Sequence, residues 1–521
     1  MTSWGAPGYG RIDTAVTRPA QILDGYERPT MSNQKSVSGE RSHDPRFPEK
    51  FLKFMSSGWG DTTLTGLKPV EQADNHARRR AALSDAYPGE TLIIPTGEEK
   101  VRANDTFYKF RAGTDFAWLT GDYDPEGVLV LHPVSGGHDA VLYRRPRKGA
   151  ESDEFFRSAK YGELWIGRHH SLDEKSTLLG LACRDIDDLQ KALSGLRRDQ
   201  VRVSRGFDST IDSWFAAETV TEGLTRDKEF DRTMSEMRLR KDSWELAQLQ
   251  DAIDATVRGF EDVARVLPSH RSVPERLLEG IFHSRARVEG NEVGYDSIVG
   301  AGPHATTLHW TSNTGYTTPG ELILMDMGVE NRHLYTADVT RTVPVSGSFS
   351  PLQKQVYDIV LASQQAGMDA IKPGVEFTHI HLTCMRVLAE GLSDLGVLPV
   401  SVEEAMEPDS MLYRRWTLHG FGHMLGLDVH DCASSRPEKY HKGVLEEDYV
   451  LTVEPGLYFQ ANDELVPEEL RGIGVRIEDD VQVTADGHKN LSAGLPREAA
   501  EVESWLSQQR DAGLRLPGAH E

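Results

Sequence analysis

TLHGFGHMLGLDVHD, Thr417 to Asp431, places His419, His423 and His430 within twelve positions among glycines and aliphatics, and LTVEPGLYF, Leu451 to Phe459, follows about twenty residues later. Neither the face of an amphipathic helix nor a solvated loop has this composition. The segment therefore reads as a binding or reacting site. Gly420 and Gly422 disfavour a helix, and without one His419 and His423 need not share a face. The series His419, His423, Gly426, His430 comes near the zinc-protease pattern H-E-x-x-H-x-x-G-x-x-H. Position 420 is Gly where the general-base Glu belongs, and the last interval is one residue too long, so a helical zinc protease is rejected.

Working outward, acidic residues interrupt four apolar runs: Asp326 in LILMDMG, Asp338 in YTADVTRT, Glu454 in LTVEPG and Glu478 in GVRIEDD. A carboxylate inside a strand costs several kcal/mol unless it is paired or ligates a metal. One such acid, satisfied by Arg341 or Arg476, would be merely structural. Four acids beside a histidine cluster form a ligand set. Four carboxylates and one imidazole balance the charge of two divalent cations, and oxygen-rich donors suit Mn²⁺, Fe²⁺, Mg²⁺ or Co²⁺. A pair of ions about 3.5–4 Å apart would activate water and polarise a carbonyl or phosphoryl oxygen. Residue types alone leave an amide hydrolase and a phosphoesterase both open.

The chain has 521 residues, enough for two domains and a tail. With 58 basic and 81 acidic residues its formal charge is −23, which argues against nucleic acid or an anionic membrane as partner. No apolar run approaches the roughly eighteen residues of a membrane span. Cys183, Cys384 and Cys432 form no Cys-x-x-Cys pair, and MTSWGAPGYGRID lacks the features of a secretory signal, so a cytoplasmic location is expected.

In order, residues 1–45 read as a flexible arm. An N-terminal mixed α/β domain is expected over 46–230: a helix in HARRRAALSDAYPG, strands TLIIP, DFAWLTG, GVLVLHP and AVLYRR, then helices near Leu189 and Trp214. A second domain, 231–505, opens with a long helix. Asp242 and Glu245 form a capping box there, and Leu246, Leu249, Ile253, Val257, Phe260, Ala264 and Leu267 line one face up to Pro268. PERLLEGIFHSRARVEG and SPLQKQVYDIVLASQQAGMDAI read as helices. ELILMDMGVE, ADVTRTVPV, YVLTVEPGLYF and GIGVRIEDDVQVT read as strands, and 506–521 as a tail.

The order and context of Asp326, Asp338, His423, Glu454 and Glu478 resemble the pita-bread metallopeptidases, and HGFGHMLGLDVHD, LTVEPGLYF and RGIGVRIEDD look like their Xaa-Pro aminopeptidase and prolidase branch. FRAGTDFAWLTG and PEGVLVL resemble the amino-terminal domain of such aminopeptidases. The resemblance implies an α/β (α+β) fold with a C-terminal pita-bread catalytic domain. It implies that Asp326 holds one metal, Asp338 and Glu478 bridge two, and His423 and Glu454 bind the other, Mn²⁺ being favoured over Co²⁺ or Zn²⁺. Glu454 would also handle the bridging water, His309 and His430 would act on the substrate side, and Arg476 and Tyr458 would orient ligands. His419 and His304 are expected to be structural. Implied substrates are peptides with proline second, cleaved by a homodimer or homotetramer. A prolidase restricted to dipeptides is the alternative, and a metal-free binding protein on the same fold is the alternative of another class.

Overall fold

The computed structural model describes residues 47–216 and 220–513, with no side-chain account of 220–224. The expected arm over 1–45 and the last eight residues of the expected tail lie outside the described residues. By contacts the chain divides into two units: Met1–Asp61 with Lys148–Gly167, and Thr62–Arg147 with Arg168–Glu521.

The described part of the smaller unit is an aromatic cluster around a short helix, Glu49–Met55. Phe47 stacks on Phe51 at 4.7 Å, Phe51 meets Phe156 edge-on at 6.4 Å, and Trp59 meets Phe155 at 5.0 Å.

The larger unit begins with a mixed five-stranded sheet. Its strands are β1 (Thr91–Pro95), β2 (Val128–Val134), β3 (Gly137–Arg144), β4 (Ala182–Asp185) and β5 (Val201–Val203), in the order β4-β3-β2-β1-β5. β1 pairs antiparallel to β2 and parallel to β5, and every residue of TLIIP is buried, as a continuous apolar run requires. Helix α1 (Ala73–Ala86) precedes the sheet, as expected.

DFAWLTG, expected as a strand, is a helix, α2 (Thr114–Thr120). Phe116 through Thr120 are all buried, so both periodicities were masked, and a short run buried on every side cannot be assigned by pattern. The helix closes on Gly121 in the left-handed conformation at φ 68°, where a Cβ would lie 2.6 Å from His76 Nε2.

Helix α3 (Ser243–Val266) starts at the expected capping box, with Asp242 accepting from the Glu245 N–H and Glu245 from the Asp242 N–H. The same two acids join the halves of this unit. Asp242 accepts from Arg79 at 2.8 Å, and Glu245 Oε1 accepts from the Trp118 indole at 3.1 Å and the Tyr335 hydroxyl at 2.9 Å. Helix α4 (Glu275–Glu289) follows, and α5 (Pro351–Ala370) begins at a Ser350/Gln353 capping box. Helix α6 (Phe377–Asp394) went unread in the sequence, and α7 (Ala499–Ala512) runs through residue 505, where the tail was expected to begin. These helices cover a core that includes Phe260, Phe282, Met325, Val343, Tyr357, Ile380 and Leu451.

Three small sheets frame the acids: Asp326 lies within a strand, and Asp338, Glu454 and Glu478 flank strand ends. β7 (Leu322–Met327) lies between β6 (Ile298–Ala301) and β8 (Val339–Pro344), antiparallel to both. β9 (Val450–Val453), β12 (Asp479–Val483) and β13 (His488–Asn490) form a second, and β10 (Gly456–Tyr458) with β11 (Gly474–Arg476) a third. Among the described residues no helix is long and apolar enough to cross a membrane.

Candidate metal centre

Strand register brings the four acids together. Asp326 pairs with Thr340, so Asp338, two residues earlier, is its diagonal neighbour on the same face. Val453 pairs with Asp479 and Gly456 with Arg476, so one register runs through both ladders, and Glu454 and Glu478 face each other where the pairing is interrupted. Pro455, which has no N–H to donate, marks the interruption.

TLHGFGHMLGLDVHD is not helical and lies along β9. The His423 N–H donates to Thr452 Oγ1 at 3.0 Å, the Thr452 N–H donates to the His423 carbonyl at 2.8 Å, and Leu425 donates to Val450 at 2.9 Å. Gly422 permits this approach, since a Cβ there would stand 2.0 Å from the Thr452 carbonyl oxygen. The outcome is an imidazole among carboxylates: His423 Nε2 is 3.3 Å from Asp338 Oδ2 and 3.5 Å from Glu454 Oε1. Asp338, His423 and Glu478 each offer a donor atom within 4.8 Å of the others.

Asp326 accepts from Arg476 Nη2 at 2.5 Å, and Arg476 Nη1 donates to the Tyr458 hydroxyl at 2.9 Å. That hydroxyl is 2.7 Å from His419 Nε2, while His419 Nδ1 is 3.4 Å from Glu454 Oε2. Burial, and then Arg476, push His419 down to about 3, so it is held neutral between Tyr458 and Glu454. One side of His430 faces solvent and the other packs on His423, ring to ring at 4.2 Å, and this partial desolvation, followed by the His423 charge, lowers its pKa. His309 is also exposed and stands near enough for its charge to depress both His419 and His430. His304 is held by Glu275 at 2.9 Å.

Charge is the distinctive property of the cluster. Burial, and then the fields of Asp338, Glu454 and Asp326, raise the Glu478 carboxyl well above its ordinary range. Burial raises Asp326 against the opposing Arg476, and burial raises Glu454 to about 7 against His423. Burial opposes a charge on His423, yet the Asp338 hydrogen bond and the Glu454 field carry it up to about 9. The carboxylates lack cationic charge that one arginine does not supply. Four carboxyl groups and an imidazole are the donor set that hard divalent cations take, so the residues present fit the implied metals.

Several groups at the centre were not legible in the sequence. The Tyr295 hydroxyl lies 2.6 Å from Asp326 Oδ1 and 2.5 Å from Asp338 Oδ1. Thr340 Oγ1 donates to Glu478 at 2.6 Å, and the buried Asp480 accepts the Asp338 N–H at 3.1 Å. Only for Asp480, another acid in the IEDD run, did the sequence carry a signal.

Comparison with known proteins agrees with this geometry. Residues 247–485 match the metallopeptidase family M24, and residues 76–203 match the aminopeptidase P N-terminal domain. The chain is 52% identical over 463 residues to Xaa-Pro aminopeptidase 1 of Streptomyces coelicolor, covering 89% of this chain and 93% of that protein. It is 33% identical to the Xaa-Pro aminopeptidase of Escherichia coli, covering 85% of this chain and 100% of the relative. Among solved structures, E. coli aminopeptidase P with the inhibitor Pro-Leu superposes with a TM-score of 0.74 at 30% identity, over 85% of this chain and 100% of that one. Pseudomonas aeruginosa aminopeptidase PepP gives the same TM-score, identity and coverage. An amino-terminal α/β domain of aminopeptidase P type, followed by a pita-bread domain with an acidic centre, places the chain in the M24 metallopeptidases as a metal-dependent aminopeptidase of the aminopeptidase P family.

Proposed function

We propose that the enzyme holds two divalent ions, Mn²⁺ by preference, and removes the residue before proline from the amino terminus of peptides longer than two residues. Asp326, Asp338, His423, Glu454 and Glu478 would hold the ions. The chemistry they would supply when bound is a lowered pKa of water and a polarised scissile carbonyl. The observation that supports the reading is that Asp338, His423 and Glu478 offer donor atoms within 4.8 Å of one another, with Asp326 and Glu454 beside them, in a buried excess of negative charge partnered by Arg476.

The chain's own groups do the rest. Glu454, steadied by His419, orients and deprotonates the attacking water. A Xaa-Pro bond has no N–H, and the leaving proline nitrogen needs a proton. His430, packed on His423, passes to that nitrogen the proton that Glu454 takes from the water, while His309 donates to the developing oxyanion. Arg476 and Tyr458 hold Asp326 and His419 in place.

A dipeptide, a tripeptide and a pentapeptide of the Xaa-Pro type, offered to Mn²⁺-loaded protein, test the reading. Cleavage of the two longer peptides is expected. Inactivity with every divalent metal tried would overturn it, and cleavage of the dipeptide alone would make the enzyme a prolidase. The match to the aminopeptidase P N-terminal domain favours the longer substrates. Substitutions among the five donors would have supported a metal-free binding protein, and there are none. The domain limits 46–230 and 231–505, a homodimeric or homotetrameric assembly and a cytoplasmic location belong to the same reading. Sedimentation of the purified protein tests the assembly.

A further inference from the structure

Glu275 is a buried acid to which the reaction assigns no task. It stands in the first turn of α4, is 0% exposed, and both its oxygens are fully engaged. Oε1 accepts from the Ala301 N–H at 2.9 Å and lies 2.9 Å from His304 Nδ1. Oε2 accepts from the Trp310 indole N–H at 2.9 Å and the Gly315 N–H at 2.7 Å. One carboxylate thus ties the start, the middle and the end of the segment 301–315. Apart from a 3₁₀ turn, Gly302–Thr306, and the strand-end residue Ala301, that segment is irregular.

His309 lies inside this span, next to Trp310. The Trp310 ring stacks on His304 at 3.9 Å, and its indole nitrogen is held by Glu275. Leu308 and Trp310, the two neighbours of His309, pack against a small cluster of Ile298, Ala305, Leu324 and Tyr458. Tyr458 is the partner of His419 and Arg476. The segment is therefore fastened to the metal centre on both sides of His309, whose own ring is exposed and, among the described residues, has no side-chain hydrogen bond to orient it.

We propose that Glu275 is a positioning residue: by clamping residues 301–315 it fixes where the His309 imidazole stands relative to His419 and His430. The inference rests on the role given to His309 above. A carboxylate is required at this position, because each oxygen accepts from at least one N–H that cannot act as an acceptor, the Ala301 N–H on one side and the Gly315 and Trp310 N–H groups on the other. A glutamine would turn its NH₂ group against one of these donors whichever way it faced, and would release part of the clamp.

The test is a double-mutant cycle on the Mn²⁺-loaded enzyme with a Xaa-Pro-Xaa peptide. E275Q is expected to lower kcat by about 10- to 100-fold with two ions still bound, and E275D, which keeps acceptor-only chemistry, to recover part of the loss. W310F, which keeps the stacked ring and loses the N–H, is expected to lose about 5-fold. On top of H309A, neither E275Q nor W310F should cost more than about 2-fold further, because the group they position is already gone. If the losses multiply instead, Glu275 is structural and the inference fails, while the role of His309 stands. If H309A alone leaves turnover unchanged, both fall. Should E275Q not fold, W310F with and without H309A decides the question in the same way.

Discussion

The two ends of TLHGFGHMLGLDVHD meet two buried ionic clusters of opposite kind. At Asp431 the charges are matched: Lys241 Nζ lies 3.1 Å from Oδ2 and Arg238 Nε 3.2 Å from Oδ1, while Arg238 also pairs with Asp115. Burial opposes the Asp431 charge, but Lys241 and then Arg238 outweigh it and hold the carboxyl below its ordinary value. At His423, four carboxyl groups share one arginine, and Glu478 is driven the other way. Two acids and two bases need nothing more, whereas four acids facing Arg476 and the His423 imidazole keep an excess of negative charge that calls for a ligand. A balanced buried cluster is therefore read as scaffold and an unbalanced one as a binding site.

Removing a donor from the unbalanced cluster should have the largest effect. H423A is expected to lose bound metal and at least about 10³-fold in kcat/KM, read by metal analysis beside the tripeptide assay. H430A should keep both ions and lose about 10²-fold in kcat, the scale of general acid catalysis. Equal metal loss in both variants would show that the two histidines are not divided as argued.

Breaking the balanced cluster should cost stability and leave metal affinity unchanged. K241M is expected to destabilise the fold by about 3–5 kcal/mol, because it leaves part of the Asp431 charge uncompensated. The sign with pH follows from the depressed Asp431 carboxyl. Its stabilisation is present above the unfolded carboxyl value of about 4 and is lost as pH falls through the folded value. The difference in Tm between wild type and K241M should therefore narrow in acid, and a difference independent of pH would assign the cost to packing. The smallest effect is predicted for H419A, which removes the support of Glu454 and the Tyr458 contact: metal retained, and a loss of under about 10-fold in kcat.

Much of the site was legible because its residues break a local rule. Asp326, Asp338, Glu454 and Glu478 sit where an apolar side chain would have been cheaper, and the glycines beside His423 exclude a helix. The helix start at Asp242 was readable from its cap, which is local chemistry. DFAWLTG was misread because Phe116 to Thr120 are buried on all sides and leave no period to detect. Tyr295 and Glu275 were invisible because each is an ordinary residue whose partners, Asp326 and Trp310 among them, lie 26 to 43 positions away.

By itself, then, the sequence determined the ligand types, their excess of negative charge and the class of chemistry, since burying a carboxylate carries its own physical cost wherever the chain goes. The tertiary structure alone decided which histidine meets the acids, that Glu454 faces Glu478, and that Arg476 reaches Asp326 across 150 positions. Those contacts are set by strand register and by the close passage of Gly422 over Thr452, and pairings between distant segments leave no mark in the local sequence.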